Sequence, residues 1–139
     1  MGNKLRKTDE QAAIACPCGS GRSYYACCQA HQLGTAPDAA TPEKTMRARY
    51  TAFTLGLADY LRASWAPRNR PPEHWTPETD IKWLGLKVIS ASAAADGNTG
   101  TVEFIARSRV AGKGQRHHET SYFERLDGRW VYVNGEIHE

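Results

Sequence analysis

The chain has 139 residues, 40% hydrophobic and 24% charged, with a formal net charge of +3 and a mean hydropathy of −0.61; that is enough for one modest core and too little for two. The charge is spread out: residues 1–41 hold four Lys/Arg against three Asp/Glu and the remainder fourteen against twelve, so the one-sided basic surface of a dedicated nucleic-acid binder is missing and no specific nucleic-acid partner is expected. No apolar run approaches the roughly 18 residues that span a bilayer. The N-terminus lacks a secretory apolar segment, and Arg6 stands where myristoylation needs Ser or Thr, so a cytoplasmic location is expected.

Residues 1–15 are polar and then small, with little to bury, and are expected to fray. All four cysteines follow between positions 16 and 28, as Cys16-Pro17-Cys18-Gly19-Ser20-Gly21 and then Cys27-Cys28. Four thiols so close in sequence converge only if the segment between them folds back, which Gly19-Ser20-Gly21 allows, with backbone N–H groups free to turn toward the sulfurs. Four soft ligands with no open position describe a structural tetrahedral Zn²⁺ site. Disulfides would need an oxidising compartment, and bonds within Cys27-Cys28 or Cys16-Pro17-Cys18 would be strained. Reduced thiols in an ordinary loop are the remaining alternative. His31 competes with Cys28 as fourth ligand, because Cys27-x3-His31 is also a workable spacing. Arg22 is expected to offset the cluster's negative charge, and Tyr24 and Tyr25 to cover a segment too short for its own core. The zinc unit is placed at residues 1–34, a small, aperiodic linker at 35–41, and a second domain with its own core at 42–139.

Thr41-Pro42-Glu43 predicts a helix start: a Thr cap, Pro at the first helical position, and an acid near the positive end of the helix dipole. Met46, Tyr50, Phe53 and Leu57 continue at helical spacing, Gly56 marks a break, and Leu57, Tyr60, Leu61 and Trp65 form a second short stripe ending before Pro67. Four prolines in residues 66–80 exclude a long helix or a central strand and leave room for one turn at Thr76-Pro77-Glu78. From Trp83 onward the apolar period changes to two, and Asp96-Gly97-Asn98, Gly112-Lys113-Gly114 and Asp127-Gly128 punctuate four strands. Helices followed by an antiparallel meander give an α+β fold.

Asp127-Gly128 is a two-residue hairpin signal that sets Arg125 opposite Trp130, Phe123 opposite Tyr132 and Ser121 opposite Asn134. With Val110 opposite His117 in the preceding hairpin, Phe104 faces Phe123. One face then carries Phe104, Phe123, Tyr132 and Trp130 at one end and Ser108, Glu119, Ser121 and Asn134 at the other, which is either core with a wet rim or the lining of a small-molecule pocket. Glu119 is the best acid or base on it, because burial would raise its pKa toward neutrality. Whichever of Arg47 and Arg49 faces the sheet is expected to pair with Glu119. His117 and His118 alternate faces and read as a strand end. No phosphate loop, nucleophile elbow or His-Glu-x2-His motif is present, and no catalytic set is assigned.

The run Cys-Pro-Cys-Gly-Ser-Gly-x5-Cys-Cys resembles the zinc module at the C-terminus of the SecA preprotein translocase ATPase. The rest of the chain is similar to the YchJ-like family of bacterial proteins, through Thr41-Pro42-Glu43, Met46 to Tyr50, Asp59-Tyr60-Leu61, Ser64-Trp65, Trp83 to Leu86, Val102-Glu103-Phe104, His118 to Phe123 and Gly128 to Tyr132. The resemblance implies a domain similar to nuclear transport factor 2, a cone of helices on a curved antiparallel sheet, joined to the zinc module. It also implies a non-enzymatic adaptor or binding protein with a protein partner, an export chaperone or the ribosome, as the translocase module has. The alternative is a small-molecule isomerase or hydrolase using Glu119, since such domains host both kinds of function.

Overall fold

The computed structural model describes residues 14–35 and 40–139; most of the lead-in and most of the linker lie outside them. Helices α1 (Cys28–Gln32), α2 (Pro42–Leu55) and α3 (Ala58–Ala63) and a 3-10 turn (Pro67–Asn69) precede strands β1 (Ile81–Ala93), β2 (Thr99–Val110), β3 (Lys113–Leu126) and β4 (Arg129–His138). The strands form one antiparallel sheet in the order β1-β2-β3-β4. No helix of the described residues is long and apolar enough to cross a membrane.

Local chemistry explains both ends of α2. Thr41 is extended and its Oγ1 accepts from the Lys44 N–H at 3.1 Å, with Pro42 and Glu43 in the first turn. At the other end Gly56 turns left-handed, at φ 71°, and its N–H closes back on the Ala52 carbonyl. The proline-rich segment after α3 forms a helical turn at Pro67–Asn69 and a second turn closed by the Trp75 N–H on the Pro72 carbonyl, with none at Thr76-Pro77-Glu78. Just before the first of these turns the chain runs along the free edge of β4. The Ala66 N–H donates to the Tyr132 carbonyl and the Tyr132 N–H to the Ser64 carbonyl, both at 2.7 Å, so an otherwise open edge is occupied.

Two register expectations are corrected. The β2–β3 turn is Ala111-Gly112 alone, both residues at positive φ (51° and 79°), so Val110 pairs with Lys113 and Phe104 with Glu119. Lys113 and Gly114 belong to β3, and His117 and His118 sit inside the strand rather than at its end. The shift is four residues, an even number, so each residue of β2 and β3 keeps its face. The second correction is a bulge at Tyr122/Phe123: Phe123 pairs with Tyr132, but Tyr122 pairs with Asn134 and Ser121 with Gly135. One extra residue in β4 turns Asn134 outward and brings Gly135 onto the inner face. Further bulges in β1 add to the curl of the sheet.

The inner face packs under α2, with Met46, Ala48 and Tyr50 against Val102, Phe104, Ala106 and Phe123. Cys16, Cys18 and Cys28 are buried in that same cluster.

Candidate functional site

The cysteine loop is closed by its backbone. The Cys16 N–H donates to the Arg22 carbonyl at 3.0 Å and the Tyr24 N–H to the Ile14 carbonyl at 2.8 Å, with Gly19 and Gly21 at positive φ making the return. One ligand atom from each of Cys16, Cys18, Cys27 and Cys28 lies within 4.8 Å of every other, and none of the four is in a disulfide. The Cys18 and Cys27 sulfurs are 3.7 Å apart, which fits a tetrahedron whose metal–sulfur bonds of about 2.3 Å set sulfurs roughly 3.8 Å apart. His31 stands outside the cluster, its Nε2 3.0 Å from the Thr45 hydroxyl.

The groups around the sulfurs are largely hydroxyls. Ser20 Oγ lies 3.2 Å from the Cys27 sulfur, and Thr51 Oγ1 of α2 donates to the Cys28 sulfur at 3.3 Å. Arg22 and Tyr25 are exposed. The cation near the cluster is Arg47, whose Nη1 donates to the Cys18 carbonyl at 2.9 Å while its Nε binds Glu43. Contacts with Cys16 and then Cys28 press the Cys18 pKa far down, and contacts with Cys16 and then Cys18, together with burial, press Cys28 far up. A bound cation would take the place of the protons these closely packed thiols carry.

The second constellation lies between α2 and the inner sheet face, around a cavity of about 160 Å³. Its walls are mostly aromatic, with Tyr50 and Phe53 from α2, Trp83 from β1 and Phe104 from β2, and its polar end holds Arg49, His117, Glu119, Ser121 and Tyr132. β3 supplies His117, Glu119 and Ser121 at alternate positions, so all three share one face. Glu119 Oε1 lies 2.8 Å from His117 Nε2, and its Oε2 accepts from Ser121 Oγ at 2.6 Å and from the Tyr132 hydroxyl at 3.3 Å. Gly135 lies beside that carboxylate, so close that a Cβ there would overlap Oε2.

Arg49 is only 6% exposed. Its guanidinium carbon is 4.7 Å from the Trp65 ring centre and 4.6 Å from that of Tyr132, a cation held between two aromatic faces. Its Nη1 donates to the Leu61 carbonyl (2.9 Å) and to Ser64 Oγ (2.6 Å). Among the described residues no carboxylate comes within 4.0 Å of it, so the expected ion pair with Glu119 is not formed by either arginine. Burial draws the Arg49 pKa down to about 10, which leaves it charged near neutrality.

The expected rise of the Glu119 pKa is reversed. Burial alone would raise it, but hydrogen bonds from His117, Ser121 and Tyr132 favour the ionised form and hold it below the ordinary value. His117 is raised in turn by its bond to Glu119. Burial, and then the neighbouring Glu119 charge, push Tyr132 up to about 12, so its hydroxyl stays a donor.

Of the residues read from sequence as a pocket, Phe104, Glu119, Ser121, Phe123 and Tyr132 line this cavity. Asn134 is exposed, turned away by the bulge. Trp130 lines a separate cavity of about 320 Å³ between the start of β4 and the α1 end. Sequence reasoning did not place Tyr50, Phe53, Trp65, Trp83 or His117 at this cavity, and it missed Gly135 beside Glu119 and Thr51 at the cysteines. Gly135 left a signal, a glycine inside a strand, which marks a close approach.

A family profile described as the YchJ, middle NTF2-like domain matches residues 41–135. A UPF0225 protein of Chromobacterium violaceum is 46% identical over 134 residues, covering 94% of this chain and 98% of its own, and one of Streptomyces coelicolor is 44% identical over 123 residues, covering 88% and 94%. The solution structure of RPA3114, a SEC-C motif containing protein from Rhodopseudomonas palustris, is 36% identical with a TM-score of 0.76, covering 91% of this chain and 100% of that one. The crystal structure of a SEC-C motif containing protein from Psychrobacter arcticus shares the fold at 21% identity and a TM-score of 0.67, covering 94% and 86%. With a four-cysteine cluster placed before a curled four-stranded sheet, the chain belongs to the YchJ-like, UPF0225 family, whose middle domain is NTF2-like.

Proposed function

We propose that this chain is a zinc-braced binding protein whose second domain holds a small one-ring molecule between Arg49 and Glu119. Zinc is the metal the cysteine cluster favours, because four soft donors without an open position suit a structural ion. The observation that carries the ligand reading is Arg49, a buried cation with no carboxylate beside it, at the polar end of an aromatic cavity. Its charge is compensated by two aromatic rings and by the Leu61 and Ser64 oxygens rather than by an acid, and a buried charged group at the polar end of a cavity is a ligand-site candidate. An enclosed apolar cavity of about 150 Å³ accommodates a benzene ring, so one ring fits the aromatic part of this space. Arg49 offers donors and Glu119 an acceptor, so the complementary polar group both accepts and donates, as a neutral carboxamide does. The ionised, triply bonded Glu119 favours holding a ligand over the proton transfer that an isomerase or hydrolase would ask of it.

The probe is benzamide, with benzoate as the charged control. Benzamide should shift the side-chain NMR signals of Trp83, Phe104 and Tyr132 saturably, and Ala106→Leu, which fills the cavity, should weaken binding at least about tenfold. If neither probe moves those signals at millimolar concentration, or the Ala106 variant binds as the parent does, the reading fails.

A second reading is favoured by the knuckle surface. Ile14, Tyr25 and Leu33 are 55%, 52% and 70% exposed, and apolar side chains left in water around a small module suit a protein partner. The translocase module's partners suggest the export machinery or the ribosome, and hence the cytoplasm. Tyr25→Ser with Leu33→Ser should abolish co-sedimentation with ribosomes or capture by an export chaperone, with zinc content unchanged. Equal recovery of variant and parent, or no recovery of either, would count against the docking role.

A further inference from the structure

The outer face of the sheet carries a second cluster of metal-ligating side chains, on the side opposite the cavity. β2, β3 and β4 each contribute one: Glu103, His118 and His138. The register brings them together, for His118 pairs directly with His138 and Glu103 lies one step along the same face, opposite Thr120. One ligand atom from each lies within 4.8 Å of the other two. His118 Nε2 is 2.7 Å from Glu103 Oε2, and the two imidazoles stack at 4.4 Å with a 27° tilt. Thr120 Oγ1, 2.8 Å from His138 Nε2, fixes the rotation of that ring.

We infer that Glu103, His118 and His138 form a binding site for a divalent first-row cation of the Zn²⁺ class, held by two nitrogens and one oxygen. Strands hold the ligands at fixed spacing, so little ordering is left for the ion to impose. Two imidazoles and a carboxylate suit Zn²⁺, Ni²⁺ and Cu²⁺, with Cu²⁺ the tightest of the three. Three protein ligands leave one tetrahedral position for water or an outside donor, unlike the closed cysteine cluster. Arg107 and Arg116 pair with each other further along this face. Their charge limits the affinity, and binding in the micromolar range is expected.

The test uses the full chain already carrying metal at its cysteines, with Zn²⁺ added while the imidazole signals are followed by NMR. About one further equivalent should bind, moving the His118 and His138 rings together and leaving His31, His74 and His117 in place. His118→Asn and Glu103→Gln should each weaken this second equivalent at least about tenfold, the first equivalent being retained. Unmoved His118 and His138 signals at millimolar Zn²⁺ in the unsubstituted protein would overturn the site. So would variants that bind the second equivalent as the parent does.

Discussion

A methyl group on Gly135 would fall inside the Glu119 carboxylate, so the absence of a side chain on β4 decides where a charge on β3 can stand. That carboxylate holds three neighbours, and a displaced Glu119 would leave the buried Ser121 hydroxyl without its acceptor. An unsatisfied buried polar group costs about 1–3 kcal/mol, which is the destabilisation expected of Gly135→Ala. The same variant should act on His117. Its ring is raised above the ordinary 6.5 by the Glu119 carboxylate, and Glu119 lies below the ordinary 4.5. A raised histidine stabilises the fold fully below its unfolded pKa and loses that contribution as pH rises through the folded value. A lowered carboxylate contributes above its unfolded pKa and loses its share as pH falls through the folded value. The pair therefore contributes fully between about pH 4.5 and 6.5. An NMR titration should show the His117 pKa falling in both Gly135→Ala and Glu119→Gln. A His117 titration unchanged in the glycine variant would mean that the carboxylate relocates without losing its partner.

At the scale of elements, what the sequence revealed depends on how local the determinant is. The start of α2 was legible because Thr41, Pro42 and Glu43 act on adjacent backbone groups, and its end because Gly56 alone supplies the left-handed residue. The faces of β2 and β3 were legible too, since alternation survives any even slip in register. The register itself was not. Gly112-Lys113-Gly114 reads as a loop, yet Ala111 takes a positive φ beside Gly112 and the strands run on to a two-residue turn. The outward turn of Asn134 was hidden for a related reason, because a bulge is fixed by pairing with β3 and by Tyr132 bonding to the 64–66 segment, neither of which is local to β4. Within the cysteine loop, ligand type and spacing were plain. The groups that attend it from α2, Arg47 and Thr51, are far away in sequence and carry no mark of that role. Arg49 and Arg47 are two residues apart, and only packing settles that one enters the aromatic sandwich while the other reaches the knuckle.

For the whole molecule, the consequential feature is that the knuckle and the sheet domain share a buried cluster. Three of the four cysteines pack with Met46 and Tyr50 of α2, Gln32 Nε2 donates to the Ala48 carbonyl at 3.0 Å, and Thr51 reaches the Cys28 sulfur. An independent second core would let the metal site melt alone. The shared cluster instead ties α2, and through it the cavity wall formed by Arg49, Tyr50 and Phe53, to the state of the cysteines. Structural zinc supplies on the order of 10 kcal/mol to the module that binds it, comparable with the roughly 5–15 kcal/mol that holds a whole domain together. Metal analysis of the reduced protein should find about one zinc per chain at the cysteines. Chelation should then bring down a single transition, in which knuckle signals and sheet signals such as those of Phe104 and Phe123 are lost together at a lower Tm. Two separate transitions, with the sheet unaffected by chelation, would show that the contacts across α2 transmit too little energy to couple the halves. A metal-free chain that kept its parent Tm would remove zinc from the account of stability altogether.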